Sequence, residues 1–253
     1  VGRGRNAVEA GDGRMVSLNR YKHGPDSVYN CIERGWKLYA ERPYLAGVFY
    51  WTGFDYRGEP NPMVFPATSS EFGILDYCGF PKDEAFYLKS WWTSEPVLHI
   101  LPHWNLDGHE GEKVSVWVYS NCDEVQLIVN GKKLARKKMP VNGHLEWEAT
   151  YKPGYVKAIG YRAGKKIMET RIETAGKAVD AVWTYETVGD ITVANVRMID
   201  DKGRFVPTAC EEMVFTAPEG KRILGWGNGD PAFQYIERPV EGEDSIKIVT
   251  FNG

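Results

Sequence analysis

The sequence lacks the features that would announce a polyanionic partner, a metal or a membrane. Its 253 residues carry 31 Lys and Arg against 34 Asp and Glu, a formal net charge of −3. Without a basic surplus, or a basic stripe interleaved with aromatics, there is no electrostatic footprint for nucleic acid or anionic lipid. Cysteine is scarce: Cys31, Cys78, Cys122 and Cys210 lie far apart, with no Cys-x-x-Cys and no His at ligand spacing. This argues against a zinc site and against a disulfide-stapled miniature fold, and leaves four reduced, mostly buried thiols as the expectation. His99, His103 and His109 follow no ligand geometry, and Gly227–Asp230 offers two side-chain oxygens where calcium takes six to eight ligands. No metal and no cofactor are expected. No apolar run approaches the roughly 20 residues of a membrane span. Val1-Gly2-Arg3-Gly4-Arg5 also lacks the apolar region of a signal peptide, so the compartment is not encoded.

What the sequence does have is apolar and aromatic residues. A 43% apolar content is enough for real cores, and four of the nine tryptophans (Trp36, Trp51, Trp91 and Trp92) fall in the first 92 residues. The stretch around which the rest is organised is Gly47–Glu59. There an apolar run from Tyr44 through Trp51 ends in a polar, aromatic loop bearing Trp51, Asp55, Tyr56 and Glu59. The run reads as a fully buried strand delivering side chains to a rim. Flat rings beside carboxylates suit the apolar face and the hydroxyls of a sugar.

Residues 1–30 read mostly as loop. Ile32, Trp36, Tyr39 and Ala40 recur at helical spacing until Pro43 stops the pattern. Pro60, Pro62 and Pro66 stiffen the loop beyond Glu59. Phe80, Glu84, Tyr87, Leu88 and Trp91 mark a second helix, expected to be a plain amphipathic surface helix. After Thr93-Ser94-Glu95-Pro96, short alternating runs take over: Val114–Tyr119, Val125–Val129, Leu145–Ala149 and Tyr155–Tyr161, with Asn-Gly and Ala-Gly turns between strands. That pattern predicts an antiparallel sandwich. A small-residue linker, Thr174–Ala178, precedes a second block with strands expected at Ile191–Ile199, Met213–Thr216, Arg222–Trp226 and Ile246–Phe251.

The ordered motifs Gly47–Pro60 (GVFYWTGFDYRGEP), Ser69–Asp76 (SSEFGILD) and Gly79–Asp83 (GFPKD) resemble the last barrel strand and following loop of glycoside hydrolase family 2, above all its Bacteroidetes-type β-galactosidases. Pro102–Asn105, Val125–Lys132, Asp201–Pro207 and Gly225–Asp230 are similar to the sandwiches that follow that barrel. The resemblance implies the C-terminal part of a TIM (β/α)8 barrel over residues 1–93. An immunoglobulin-like β-sandwich over 94–176 and a second, incomplete one over 177–253 would follow.

A retaining glycosidase uses two carboxyl groups presented from different strands. The resemblance implies that both lie upstream of Val1, the nucleophile a few residues before Arg3. Glu9 and Glu33 are not preceded by the nucleophile motif, so no catalytic residue is expected in this chain, which by itself should be inactive. Trp51, Asp55, Tyr56, Glu59, Ser70 and Phe72 are the implied substrate-binding residues. Ser70 and Phe72 stand where the family's β-glucuronidases carry an Asn and a Lys for the sugar carboxylate. A neutral β-linked galactoside is therefore the expected partner, with β-glucuronidase or β-mannosidase specificity, or a noncatalytic carbohydrate-binding module, as alternatives. Family resemblance points to a periplasmic or extracellular setting and leaves homo-oligomerisation open.

Overall fold

The computed structural model describes residues 31–60, 64–234, 237–238, 242, 245–251 and 253. Glu9, Arg3 and the rest of the opening loop lie outside these residues. The chain divides into two compact units, one running up to Glu173 and including Asp230–Phe233, the other Thr174–Gly229 with Gln234–Gly253. Strand predominates over helix.

In the first unit, helix α1 spans Cys31–Ala40 and helix α2 spans Asp83–Trp92. Helix α1 stops short of Pro43, as the spacing predicts. Helix α2 starts with Asp83 and Glu84 in its first turn, where carboxylates oppose the positive end of the helix dipole. It is not the plain surface helix expected: Asp83, Glu84, Tyr87, Leu88 and Ser90 are all buried. A core formed by Ile32, Tyr87, Leu88, Leu101 and Tyr119 wedges α2 between α1 and a β-sheet. Asp83, Glu84 and Ser90 share the buried face with Tyr87 and Leu88, Asp83 held there by His99 and Ser90 by the Phe86 carbonyl, and apolar periodicity does not register such partners.

That sheet is antiparallel, with order β1 (Leu98–Leu101), β2 (Lys113–Ser120), β5 (Leu145–Thr150). A second antiparallel sheet has the order β4 (Lys132–Lys138), β3 (Glu124–Val129), β6 (Tyr155–Arg162), β7 (Lys165–Glu173). The two face each other across one core. Val116, Val118, Leu145 and Trp147 from the first meet Val125, Leu127, Val156 and Ala158 from the second. Strand β5, Leu-Glu-Trp-Glu-Ala-Thr, is buried and exposed at alternate positions, the period-2 pattern of a strand with one face on a core. The predicted hairpins close through left-handed pairs, Asn130-Gly131 (φ +47° and +82°) and Ala163-Gly164 (φ +48° and +76°). Trp104, 1% exposed, stands at the bottom of the core against Tyr151 and donates its indole N–H to the Lys152 carbonyl.

One loop fastens the helices to this sandwich. Trp36 donates to Asn142 Oδ1 (2.9 Å), Tyr87 to the Asn142 carbonyl (2.8 Å), and Trp91 to the Gly143 carbonyl (3.2 Å). His144, stacked on Trp117, meets Glu33 of α1 at 2.7 Å. His99 of β1 likewise meets Asp83 of α2 at 2.6 Å while stacked on Phe86.

The second unit holds two hairpin-like pairs, β8 (Asp180–Val188) with β9 (Ile191–Ile199) and β10 (Glu212–Thr216) with β11 (Ser245–Val249). Its core is small, built on Ala175, Met198, Val206 and Ala209. Asp200 organises the turn after β9. It accepts from the backbone N–H of Gly176, Lys202 and Arg204 and pairs with the Arg204 guanidinium, which holds its carboxyl well below the usual range.

Three further sequence expectations are corrected. Residues 45–50 form no strand, and Tyr44, Leu45, Val48 and Phe49 are exposed, because no described segment lies alongside to complete a backbone ladder. Residues 222–226 are also irregular, tied instead by Trp226 N–H to the Glu237 carbonyl. Of the cysteines described by exposure, Cys122 is buried but Cys78 and Cys210 are exposed.

Candidate functional site: an aromatic rim over a buried charge cluster

The exit loop after residue 50 is zipped to the 68–76 loop by backbone bonds. Ile74 donates to Thr52 O, Leu75 to Gly53 O, Asp55 to Leu75 O, Ser70 to Tyr56 O and Gly58 to Thr68 O. The two strands approach so closely at Gly73 that a Cβ there would lie 2.3 Å from the Asp55 nitrogen and 2.3 Å from the Leu75 oxygen. Only glycine fits. Gly58 (φ +87°) then turns the chain and Glu59 follows at φ +50°.

This zipper sorts the expected site residues into two layers. On the outside, Trp51 is 68% exposed and its indole N–H reaches the Tyr56 hydroxyl at 3.3 Å. Tyr56 in turn donates to Glu59 Oε2 at 2.5 Å, which pushes the phenol up in pKa and commits its proton to Glu59. The Trp51 and Tyr56 rings meet edge to face at 6.2 Å, and Phe72 lies on the other side of Tyr56 with ring centres 6.5 Å apart. Trp51, Tyr56, Glu59 and Phe72 thus form one amphipathic ledge. Tyr50 reinforces it by donating to the Phe72 carbonyl.

Asp55 and Ser70 point the other way. Ser70 is buried and its Oγ accepts the Tyr56 backbone N–H at 3.0 Å. Asp55 Oδ1 accepts the Gly73 N–H at 2.7 Å, and its carboxylate pairs with Lys82 Nζ at 2.8 and 3.0 Å. Burial pushes the Asp55 carboxyl up, and Lys82 and the Gly73 N–H pull it back. Both side chains therefore hold the loop from beneath, out of reach of a ligand on the ledge.

Sequence reasoning missed the residues that complete this lower layer. Glu71, Asp76 and Lys82 are all buried. Burial raises the Asp76 carboxyl to about 6 even though its Oδ1 accepts from Cys78 and Phe80 N–H. Arg57 lies over the Tyr77 ring and donates to Thr68, Ser69 and the Phe233 carbonyl. No motif links position 55 to 82 or 57 to 233. Glu71, Asp76 and Lys82 do lie within the quoted stretches Ser69–Asp76 and Gly79–Asp83, but only the fold brings them together with Asp55. Among the described residues no group of His, Cys, Asp and Glu could hold a metal ion. No described helix is long and apolar enough to cross a membrane.

A family model described as "Domain of unknown function (DUF4982)" matches residues 111–168, most of the sandwich. The chain is 39% identical over 210 residues to a protein named beta-galactosidase BoGH2A of Bacteroides ovatus, covering 80% of this chain and 24% of that protein. It is 31% identical over 208 residues to a protein of Formosa agariphila named putative beta-glucuronidase, covering 78% of this chain and 20% of that one. A solved family 2 glycosyl hydrolase from Bacteroides cellulosilyticus superposes with a TM-score of 0.74 at 28% identity, covering 87% of this chain and 33% of that one. By fold and relatives, then, the chain is homologous to proteins of the glycoside hydrolase group. More narrowly, it is a partial C-terminal region homologous to family 2 members of the Bacteroidetes. It spans about a quarter of the length of the curated relatives it matches.

Proposed function

We propose that this chain is the C-terminal part of a retaining family 2 glycosidase acting on terminal β-galactosides. It would supply substrate-positioning residues, not the two carboxyl groups that break the bond. In this reading residues 1–93 are the end of the catalytic barrel. Residues 94–176 and 177–253 are then immunoglobulin-like modules. The strand order β1-β2-β5 facing β4-β3-β6-β7 supports that label for the first module, since seven antiparallel strands in sheets of three and four make an immunoglobulin-like sandwich, here with β4 beside β3 instead of beside β5.

The observation that carries the reading is the Trp51–Tyr56–Glu59 ledge. It combines an exposed indole for the apolar face of a hexose with a carboxylate and phenol held by one another for its hydroxyls. A neutral sugar is favoured because, among the described residues, the two cations bonded to the loop are already engaged, Lys82 by Asp55 and Arg57 by Tyr77, Thr68 and Phe233. A uronate on the ledge would lose hydration without gaining a charge partner. The competing specificity has support in the relatives named beta-glucuronidase.

The test is turnover of aryl β-galactoside and aryl β-glucuronide by the polypeptide extended to the length of its relatives. Preference for the galactoside is expected. Preference for the glucuronide rejects the neutral-sugar assignment. Silence on both, with galactosides bound by the sandwich region alone, favours a noncatalytic carbohydrate-binding module.

A further inference from the structure

Beneath the ledge, the chain brings a distant segment, Asp230–Phe233, into the first unit as a short strap. It is a tight turn in which Asp230 Oδ1 accepts the Ala232 N–H at 2.8 Å and the Asp230 carbonyl accepts the Phe233 N–H at 2.9 Å. The strap is held on the 57–69 loop through its carbonyls. Thr68 N–H (2.8 Å), Ser69 N–H (3.2 Å) and Thr68 Oγ1 (3.3 Å) all donate to Pro231 O, and Arg57 Nη1 donates to Phe233 O (3.2 Å). Asp230, Pro231, Ala232 and Phe233 are all buried there.

Glu71 lies two residues beyond this seam. Its side chain has no solvent exposure, and neither Oε1 nor Oε2 has a hydrogen-bond partner among the described residues. Three charged groups act on it: Lys82 from the turn before α2, Asp55 from the exit loop and Asp230 from the strap. The one cation is spent, since Lys82 grips both oxygens of Asp55 and otherwise reaches only the Glu71 backbone carbonyl, at 3.5 Å. An ionised Glu71 would thus be a dry, unpaired carboxylate facing two others, a situation carboxyl groups avoid by keeping their proton.

We infer that Glu71 is a proton-operated latch. Protonated, it lets the Asp230–Phe233 strap seat on the 57–69 loop, and loss of its proton to solvent releases the strap. This goes beyond the sugar-binding reading and does not depend on it. Burial, with Asp55 and Asp230 adding to it and Lys82 opposing, raises the Glu71 carboxyl from 4.5 to about 8 in the seated form. The sign follows from linkage. Below 4.5 both seated and released forms are protonated and pH has no leverage. Between 4.5 and about 8 only the seated form holds the proton, so release grows easier by roughly tenfold per pH unit, and above about 8 the effect levels off.

The amides of Thr68 and Ser69 report seating directly, because both donate to Pro231 O. Their hydrogen-exchange protection factors, corrected for intrinsic pH dependence, would be measured on the intact chain between about pH 5 and 9. Protection should fall steeply up to pH 8 in the wild type and stay flat in Glu71→Gln, which keeps the shape and removes the charge. Asp230→Asn, which removes one repelling carboxylate, should bring the plateau to lower pH. An infrared difference between wild type and Glu71→Gln should show a protonated carboxyl band at neutral pH that disappears above about pH 8. Wild-type protection independent of pH, or an unchanged slope in Glu71→Gln, overturns the latch. So does the absence of the protonated band.

Discussion

Lys82 Nζ lies 2.8 Å from one oxygen of Asp55 and 3.0 Å from the other, and both side chains are essentially dry. The pair joins the exit loop to the turn that starts α2, and so fixes the floor under Trp51 and Tyr56. Removing either partner strands the other as a buried charge. Asp55→Ala and Lys82→Ala should each cost on the order of 3–5 kcal/mol in urea unfolding. The double variant should cost clearly less than the sum, the signature of a shared interaction. Additive losses would show that the two residues act separately.

Gly73 is the second fixed point. A methyl group there would drive into the Asp55 nitrogen, the Leu75 oxygen and the Phe54 carbonyl carbon, which are backbone atoms with no rotamer to escape into. Gly73→Ala should lower stability by more than about 2 kcal/mol and disorder the Trp51–Glu59 loop. Gly35→Ala, where nothing lies within 4 Å, should be neutral or slightly stabilising because Gly35 sits in α1. Thermal melts of the two variants give the comparison.

Glu33 provides a pH limb opposite in sign to that of Glu71. Burial alone would raise its carboxyl, but His144 and Lys37 outweigh that and hold it below 4.5. A depressed carboxylate stabilises the fold above its ordinary pKa and loses that contribution as pH falls through the folded value. Wild-type stability should therefore decline below about pH 4.5, and Glu33→Gln should have a lower plateau and a shallower acid limb. The readout is the urea midpoint followed through the acid range; an acid limb as steep in the variant as in the wild type would transfer the effect to other carboxyls.

On the ledge, Tyr56→Phe removes the phenol that links Trp51 to Glu59 but changes no buried contact. Stability should move by no more than about 0.5 kcal/mol. In the extended enzyme, galactoside KM should rise severalfold. Trp51→Ala, which removes the stacking plane, should lower kcat/KM by on the order of tenfold. Unchanged kinetics in both variants would remove the ledge from substrate binding.

The sandwich was legible because its strands carry local signals: alternation in Leu145–Thr150, two left-handed turn pairs, and β9 at the boundaries its apolar pattern predicts. Strand β4, Lys-Lys-Leu-Ala-Arg-Lys-Lys, was invisible because it is an edge strand whose charges discourage further pairing instead of marking a core face. The run from Tyr44 to Trp51 has the composition of a buried strand, yet burial depends on neighbours that composition does not supply. At the site, the upper layer was readable since Trp51, Tyr56 and Glu59 are close in sequence. Asp55 and Ser70 were recognised as important, but which way they face is set by Lys82, Gly73 and the pleat of the zipper. The electrostatic influence of residue 230 on residue 71 depends entirely on tertiary structure.

The Asn142–Gly143–His144 loop has a practical consequence. It receives the indoles of Trp36 and Trp91, the hydroxyl of Tyr87 and the carboxylate of Glu33, so the helices and the sandwich share one joint. Deleting the chain up to the turn after Trp92, where the character of the sequence changes, would remove every one of those partners and leave the loop's carbonyls and His144 facing water. A transplanted or shuffled version of this sandwich would carry its neighbours intact only if α1 and α2 travelled with it.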